Sequence, residues 1–239
     1  MPRQECSSST LPRPGKKGRC NSDLGALRVV EISKTACRYL VLRHHYSGRV
    51  PGIKYCWGLL RGAKIVGCVV FSIPASYTLC NGVCGPGYRE YVLELSRLVI
   101  LTRQKNAASF LVGRSLRLLP NAIVVSYADC NEHVGHVGYV YQATNWLYTG
   151  HGNAEPIWIN PRDGTIVSYT RRHIDKKASR VGLDWTELKK QKQLGKHRYV
   201  TFTGNRRFRK ECRAALCYRV LPYPKGPTRR HSGCVMPIA

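Results

Sequence analysis

Residues 91–150 read YVLELSRLVI, LTRQKNAASFLVGRSLRLLP, NAIVVSYADC and NEHVGHVGYVYQATNWLYTG. The first and third pieces are apolar and β-branched, as buried strands are, while residues 107–119 place Phe110, Leu111, Ser115, Leu118 and Leu119 at helical spacing. The stretch therefore predicts strand, helix, strand, helix, and with it an α/β fold. Between the first strand and its helix lies RQKNAAS, where Asn106, Ala107, Ala108 and Ser109 are small enough for a ligand to approach the backbone. Free N–H groups at a helix start, with Arg103 and Lys105 beside them, suit a pyrophosphate.

Outside this stretch the chain is dominated by charge. Lys and Arg number 39 against 13 Asp and Glu, a net charge of +26. So much uncompensated positive charge points to a polyanionic partner, nucleic acid first and anionic membrane second. About half of the Lys and Arg follow residue 160, which makes residues 161–239 a basic extension and the best candidate for gripping the phosphates of a nucleic acid. Residues 1–25 read as a basic arm without apolar period, leaving 26–160 as the core. There is no run of about 18 apolar residues and no signal pattern, so a soluble, cytoplasmic protein that does not enter membranes is expected.

The chain holds eleven cysteines. Cys37, Cys56, Cys68 and Cys130 fall in apolar segments and are expected in the core. Neither Cys80/Cys84 nor Cys212/Cys217 has the spacing of a good zinc site.

In chain order, residues 27–32 predict a strand and Ser33 an N-cap for a helix over 34–44. Residues 55–60 and 64–73 predict a hairpin about Arg61-Gly62-Ala63. Residues 74–89 predict a long Gly/Cys loop. Further on, short strands are expected at 157–159 and 165–168, a polar helix capped by Asp184 through 194, a strand at 198–203 and a basic amphipathic helix over 206–216.

This order of elements resembles the Gcn5-related N-acetyltransferase fold, a mixed sheet flanked by helices. Its fingerprint, Gln/Arg-x-x-Gly-x-Gly/Ala, is matched by Arg103, Asn106 and Ala108, with Asn106 where Gly is usual. That resemblance implies that acetyl-CoA or a related acyl donor binds there, with Ser109 beside it. A second resemblance covers nearly the whole chain. LRHHYSGRVP (42–51), ELSRLV (94–99), the segment 126–148 and the basic close 199–224 resemble the Mom family of DNA-modification proteins, named for bacteriophage Mu. It implies a phage-encoded enzyme in the host cytoplasm. Its expected work is to convert adenine in double-stranded DNA to N6-carbamoylmethyladenine, with a small-molecule donor of that group, and so to protect phage DNA from restriction. For the site it implies a cluster of His45, Tyr46, Asp129 and Tyr139, with iron held by His45, Asp129 and Tyr139.

The residues themselves leave alternatives. The product has a methylene carbon on the adenine nitrogen, which plain acyl transfer cannot give, so a redox-capable metal is a reasonable ingredient, and a His, carboxylate and phenolate set suits non-haem iron. Asp129 closes a buried strand, where an acid needs a hydrogen bond, a cation or a metal; it could instead cap a helix. Tyr139 and Tyr141 point to different faces, so at most one meets the cleft. His133 and His136 compete with His44 and His45 as ligands. Arg97 either neutralises an active-site anion or pairs with Glu94 or Glu90. The adenine has to leave the duplex and stack on an aromatic ring, for which Tyr46, Tyr77, Tyr88 and Trp146 are candidates.

Overall fold

The computed structural model describes residues 22–130, 135–152, 156–168, 171, 173–192 and 195–226. The expected basic arm lies outside them. Seven strands form the main sheet: β1 (Leu27–Glu31), β2 (Tyr55–Arg61), β3 (Lys64–Ser72), β4 (Val92–Ile100), β5 (Ala122–Ala128), β6 (Leu147–His151) and, from late in the chain, β10 (His197–Thr203). Their order is β1-β2-β3-β4-β5-β10-β6, antiparallel except where β4 runs parallel to β5. The helices are α1 (Lys34–His44), α2 (Tyr77–Cys84), α3 (Ala107–Leu118), α4 (Tyr139–Gln142), α5 (Ile174–Ser179) and α6 (Arg206–Ala214). A small second sheet holds β7 (Ile157–Ile159) between β8 (Ile166–Ser168) and β9 (Lys189–Gln191). The mixed α/β architecture expected from the sequence, a mixed central sheet flanked by helices, is the one observed.

The period-2 alternation of strand side chains decides which helix covers which face. Val69, Phe71, Leu93, Leu95 and Val124 pack with Leu111 and Val112 of α3. Their neighbours Cys68, Val70 and Val99 pack with Cys37, Leu40 and Val41 of α1. Ile123, Val125 and Val200 continue that second face under Val83 of α2 and Phe208 and Cys212 of α6. β3 and β5 are therefore covered on both sides, which accounts for their nearly unbroken apolar sequences.

Two irregularities shape the sheet for a site. The β3–β4 register slips at Ser96: Phe71 faces Leu95, while Val70 faces Arg97. This bulge turns Arg97 onto the α1 face, the same face as Glu94. The parallel pairing of β4 with β5 covers only Val92–Glu94 against Ile123–Val125, so the strands part beyond it. Ser126 Oγ spans the opening to the Leu95 carbonyl at 2.8 Å.

Several local expectations change. Residues 74–89 are not one loop: Ser76 accepts from the Leu79 N–H at 3.1 Å and starts α2, whose Cys80, Val83 and Cys84 are buried. The stretch after Asp129 does not close as a helix; α4 has four residues and Leu147–His151 joins the sheet. Asp184 does cap, through a reciprocal capping box with Glu187, but the turn Trp185–Glu187 is short and β9 follows. Cys130 is not fully in the core: it is half-buried just beyond β5. β10 comes from the stretch expected as an appendage and sits between β5 and β6, so the main sheet continues past residue 160.

Candidate active site

The site lies where β4 and β5 part, on the face that carries α1. Three segments meet there: the end of α1, the bulged β4, and the exit of β5. α1 begins at Ser33, whose hydroxyl accepts from the Ala36 N–H at 3.1 Å, and ends at His45, whose N–H reaches the Val41 carbonyl at 2.9 Å. Arg97 fastens the following loop to β4, its Nε donating to the Arg49 carbonyl at 3.0 Å and Nη1 to the Ser96 carbonyl at 2.6 Å. Tyr46 is thereby held over the cleft with its ring stacked on His45, centroids 4.4 Å apart.

Electrostatics shows which groups face one another. Crowding of the Tyr46 hydroxyl, and then the Asp129 carboxylate, raise its pKa, while Arg97 lowers it. The ring is nevertheless 65% exposed, so the mouth of the cleft is open to solvent. Asp129 is buried, with Lys196 Nζ 3.2 Å from its carboxylate. Burial pushes the Glu94 carboxyl up, and the nearby cations Arg97 and Lys196 pull it part of the way back. Glu94 makes no direct ion pair among the described residues; the alternative in which Arg97 pairs with Glu94 or Glu90 is not realised, and Glu90 pairs with Arg89. The sequence offers Glu94 only as a partner for Arg97. Burial of an acid on a strand face is the signal that reveals it, and burial is not readable from the sequence.

The expected cluster divides in two. His45, Tyr46, Arg97 and Asp129 share one electrostatic neighbourhood. Tyr139 lies apart from it in its bonding, its hydroxyl donating to the Gly226 carbonyl at 2.6 Å. The phenol at the strand opening is Tyr141, whose hydroxyl meets Ser126 Oγ at 2.7 Å and whose pKa burial pushes up to about 12. As arranged, His45, Asp129 and Tyr139 do not form an iron site. His45 Nδ1 accepts the Ser47 backbone N–H at 3.1 Å, so a neutral ring carries its proton on Nε2 and offers a donor there. Asp129 faces Lys196, and the Tyr139 hydroxyl is committed to a carbonyl. Of the competing histidines, His133 lies outside the described residues and His136 is felt by His197. Trp146 is fully buried and cannot stack a base; Tyr46 can.

The loop expected to hold a pyrophosphate leads from β4 into α3. Asn106 adopts the left-handed conformation, φ 64°, and makes no side-chain cap to α3. That conformation explains why glycine is usual there and why Asn, the side chain that best tolerates it, substitutes. Arg61 Nη2 donates to Thr102 Oγ1 at 3.2 Å and also to Gln104 Oε1, fixing the loop from β2. Ser109 Oγ turns back to the Asn106 carbonyl at 3.1 Å. Ala107 is buried in the core and its N–H reaches the Gln104 carbonyl at 3.3 Å, while Ala108 is half-buried.

A basic surface lies along α6, on the same face of the sheet as α1. Asn205 caps α6 by accepting from the Phe208 N–H at 2.8 Å. Phe208 and Cys212 bury one stripe, so Arg206, Arg209, Lys210 and Arg213 line a cleft of about 330 Å³ with Thr201 and Phe202 of β10. Among the described residues, no helix is long and apolar enough to cross a membrane.

Comparison with known proteins adds the following. A family model for the Mom protein family matches residues 26–225. The chain is 27% identical over 209 residues to "Methylcarbamoylase mom" of Escherichia phage Mu, covering 83% of this chain and 84% of the relative. Similar solved structures include a GNAT-family acetyltransferase from Bacillus cereus ATCC 10987, 12% identical, covering 75% of this chain and 99% of that one, with a TM-score of 0.39. An N-acetyltransferase from Staphylococcus aureus Mu50 is 10% identical over 74% of this chain and 98% of its own, with a TM-score of 0.39.

Proposed function

Because the chain belongs to the Mom protein family, we propose that it joins a carbamoylmethyl group to the N6 amine of adenine in duplex DNA, a mark that shields phage DNA from restriction. The name of the phage Mu relative, a methylcarbamoylase, supports the group transferred. Within the chain, the observation that carries the reading is Glu94, a half-buried carboxyl with raised proton affinity in the cleft with Tyr46, Arg97, Asp129 and Lys196. Adenine N6 is a weak nucleophile because its lone pair is delocalised into the ring. The overall reaction is a displacement at the methylene carbon of a donor X–CH2–C(O)NH2: the N6–C bond forms as the C–X bond breaks, X leaves with that bond's electron pair, and N6 loses a proton. A desolvated carboxylate is a stronger base than one in water and is suited to take it.

The remaining groups have complementary roles. The adenine is extruded and stacks on the exposed Tyr46 ring. Asp129, paired with Lys196, accepts hydrogen bonds from the adenine edge. Arg97 offers charge to the oxygen of the transferred group while tethering the Tyr46 loop. A donor that carries a coenzyme A-type pyrophosphate would place it on the loop of Arg103, Asn106, Ala108 and Ser109, with its leaving group on the methylene carbon, since attack on a thioester carbonyl would leave an amide at N6. The duplex backbone lies on α6. No step is routed through iron, which the ligand set does not fit as arranged.

A coenzyme A-dependent N-acyltransferase is the second reading, favoured by the uncapped start of α3 alone. The test is co-expression with a plasmid, digestion of its DNA to nucleosides and mass spectrometry. A carbamoylmethyl mass gain on deoxyadenosine is expected. An acetyl gain selects the second reading, and unmodified adenine overturns both.

A further inference from the structure

At the end of the sheet next to Asp129, three side chains converge that the reaction above does not use. Cys130 follows β5, His197 opens β10 and His151 ends β6, three neighbouring strands. The sheet register brings them together: His197 faces Ala128 on one side and His151 on the other. Their donor atoms all lie within 4.8 Å of one another. The imidazole centroids are 4.4 Å apart at 36°, neither flat-stacked nor edge-on. We propose that Cys130, His151 and His197 form a binding site for a zinc-class divalent ion, distinct from the cleft of Glu94 and Tyr46.

The chemistry of the set selects the ion. One thiolate and two imidazoles are borderline-to-soft donors, matched to Zn²⁺ rather than to Mg²⁺ or Ca²⁺, which take oxygen. Zinc bonds of ~2.0–2.3 Å require donors roughly 3.3–3.7 Å apart in a tetrahedron. The donors, within 4.8 Å of one another, need to close by roughly 1.1–1.5 Å at most, and His151 is exposed and able to turn inward. The spacing is long-range, 21 and 46 residues between successive ligands, which is why no CxxC-type signature announces it.

His197 is prepared for the role. It is buried, and its Nδ1 lies 2.9 Å from the Tyr148 hydroxyl. When Nδ1 carries the proton and donates to that oxygen, Nε2 holds the lone pair that a cation needs. An outer partner that fixes the ring and its tautomer in this way is characteristic of ligating histidines. Tyr148 is itself buried between β10 and the α4 turn, its ring 5.2 Å from that of Tyr199, so it does not swing away. Cys130 Sγ is 2.9 Å from the Gly195 carbonyl, to which the thiol donates. On binding, that proton passes to solvent, sulfur becomes a thiolate ligand, and solvent water completes the coordination on the exposed His151 side.

The ion would act on the neighbouring cleft by position. Cys130 adjoins Asp129 and His197 adjoins Lys196, the two members of the ion pair at the β5 exit. Cross-linking β5, β10 and β6 there fixes that pair.

The test is metal binding itself, separate from DNA modification. Purified full-length protein is stripped with chelator and dialysed, and Zn²⁺ uptake is measured after desalting; Co²⁺ is then substituted to report the ligands. One zinc per chain and a thiolate-to-cobalt charge-transfer band are expected. Cys130→Ser should remove that band, and His197→Ala or His151→Ala should weaken zinc retention at least tenfold, with Cys217→Ser unchanged as a thiol control. Wild-type protein should also melt higher with zinc than with chelator, a measurement that needs no variant to fold. Less than one-tenth of a zinc per chain after desalting, retention unchanged in His197→Ala, or cobalt without a thiolate band overturns the site.

Discussion

His45 and Glu94 show how one environment moves two groups in opposite directions. Burial first, then the Arg97 charge, lower the His45 pKa to about 4, so the ring is neutral at pH 7. Its depressed folded value means that its contribution to stability is complete above the unfolded value of about 6.5 and is lost as the pH falls toward 4. Urea melts between pH 7 and pH 4 should therefore show wild-type protein losing more stability than His45→Gln, by no more than about 3 kcal/mol. Glu94 is displaced the other way, and a base must be ionised to act. The acid limb of activity should lie above the ordinary glutamate value of about 4.3. Glu94→Gln should lower turnover by about 10²–10⁴ and abolish that limb, as measured by nucleoside mass spectrometry over a pH series. A wild-type acid limb that survives in Glu94→Gln would assign it to another group.

At the scale of elements, α6 and the bulged β4 matter most. α6 is legible because its residues leave no choice: Phe208 and Cys212 are its buried apolar residues, and cations occupy most of the rest. Replacing Arg206, Arg209 and Lys210 by Ala should reduce the slope of log binding constant against log salt by about 0.9 for each DNA phosphate that is no longer neutralised, and should weaken all DNA sequences alike. Fluorescence-anisotropy titrations with duplex DNA at several salt concentrations measure this. An unchanged slope would move the DNA to another face. β4 shows the limit of reading by pattern. ELSRLV marks a strand, but strict alternation would set Arg97 opposite to Glu94; the extra residue at Ser96 brings both to one face. A bulge carries no clear sequence signature, so the juxtaposition is invisible before folding.

Across the whole molecule, the sequence by itself determined the strands and the two longer helices of residues 27–128, the capping of α1 by Ser33, the loop before α3 and the excess of positive charge. These depend on local propensity, side-chain periodicity and composition, all written within a few neighbouring residues. What only the tertiary structure decided is which distant residues meet. It inserted β10 between β5 and β6, put Tyr141 rather than Tyr139 at the strand opening, made Glu94 a desolvated acid, and gathered Cys130, His151 and His197. The physical reason is strand register. A sheet pairs residues by hydrogen bonds between segments far apart in sequence, and a shift of one residue sends a side chain to the opposite face.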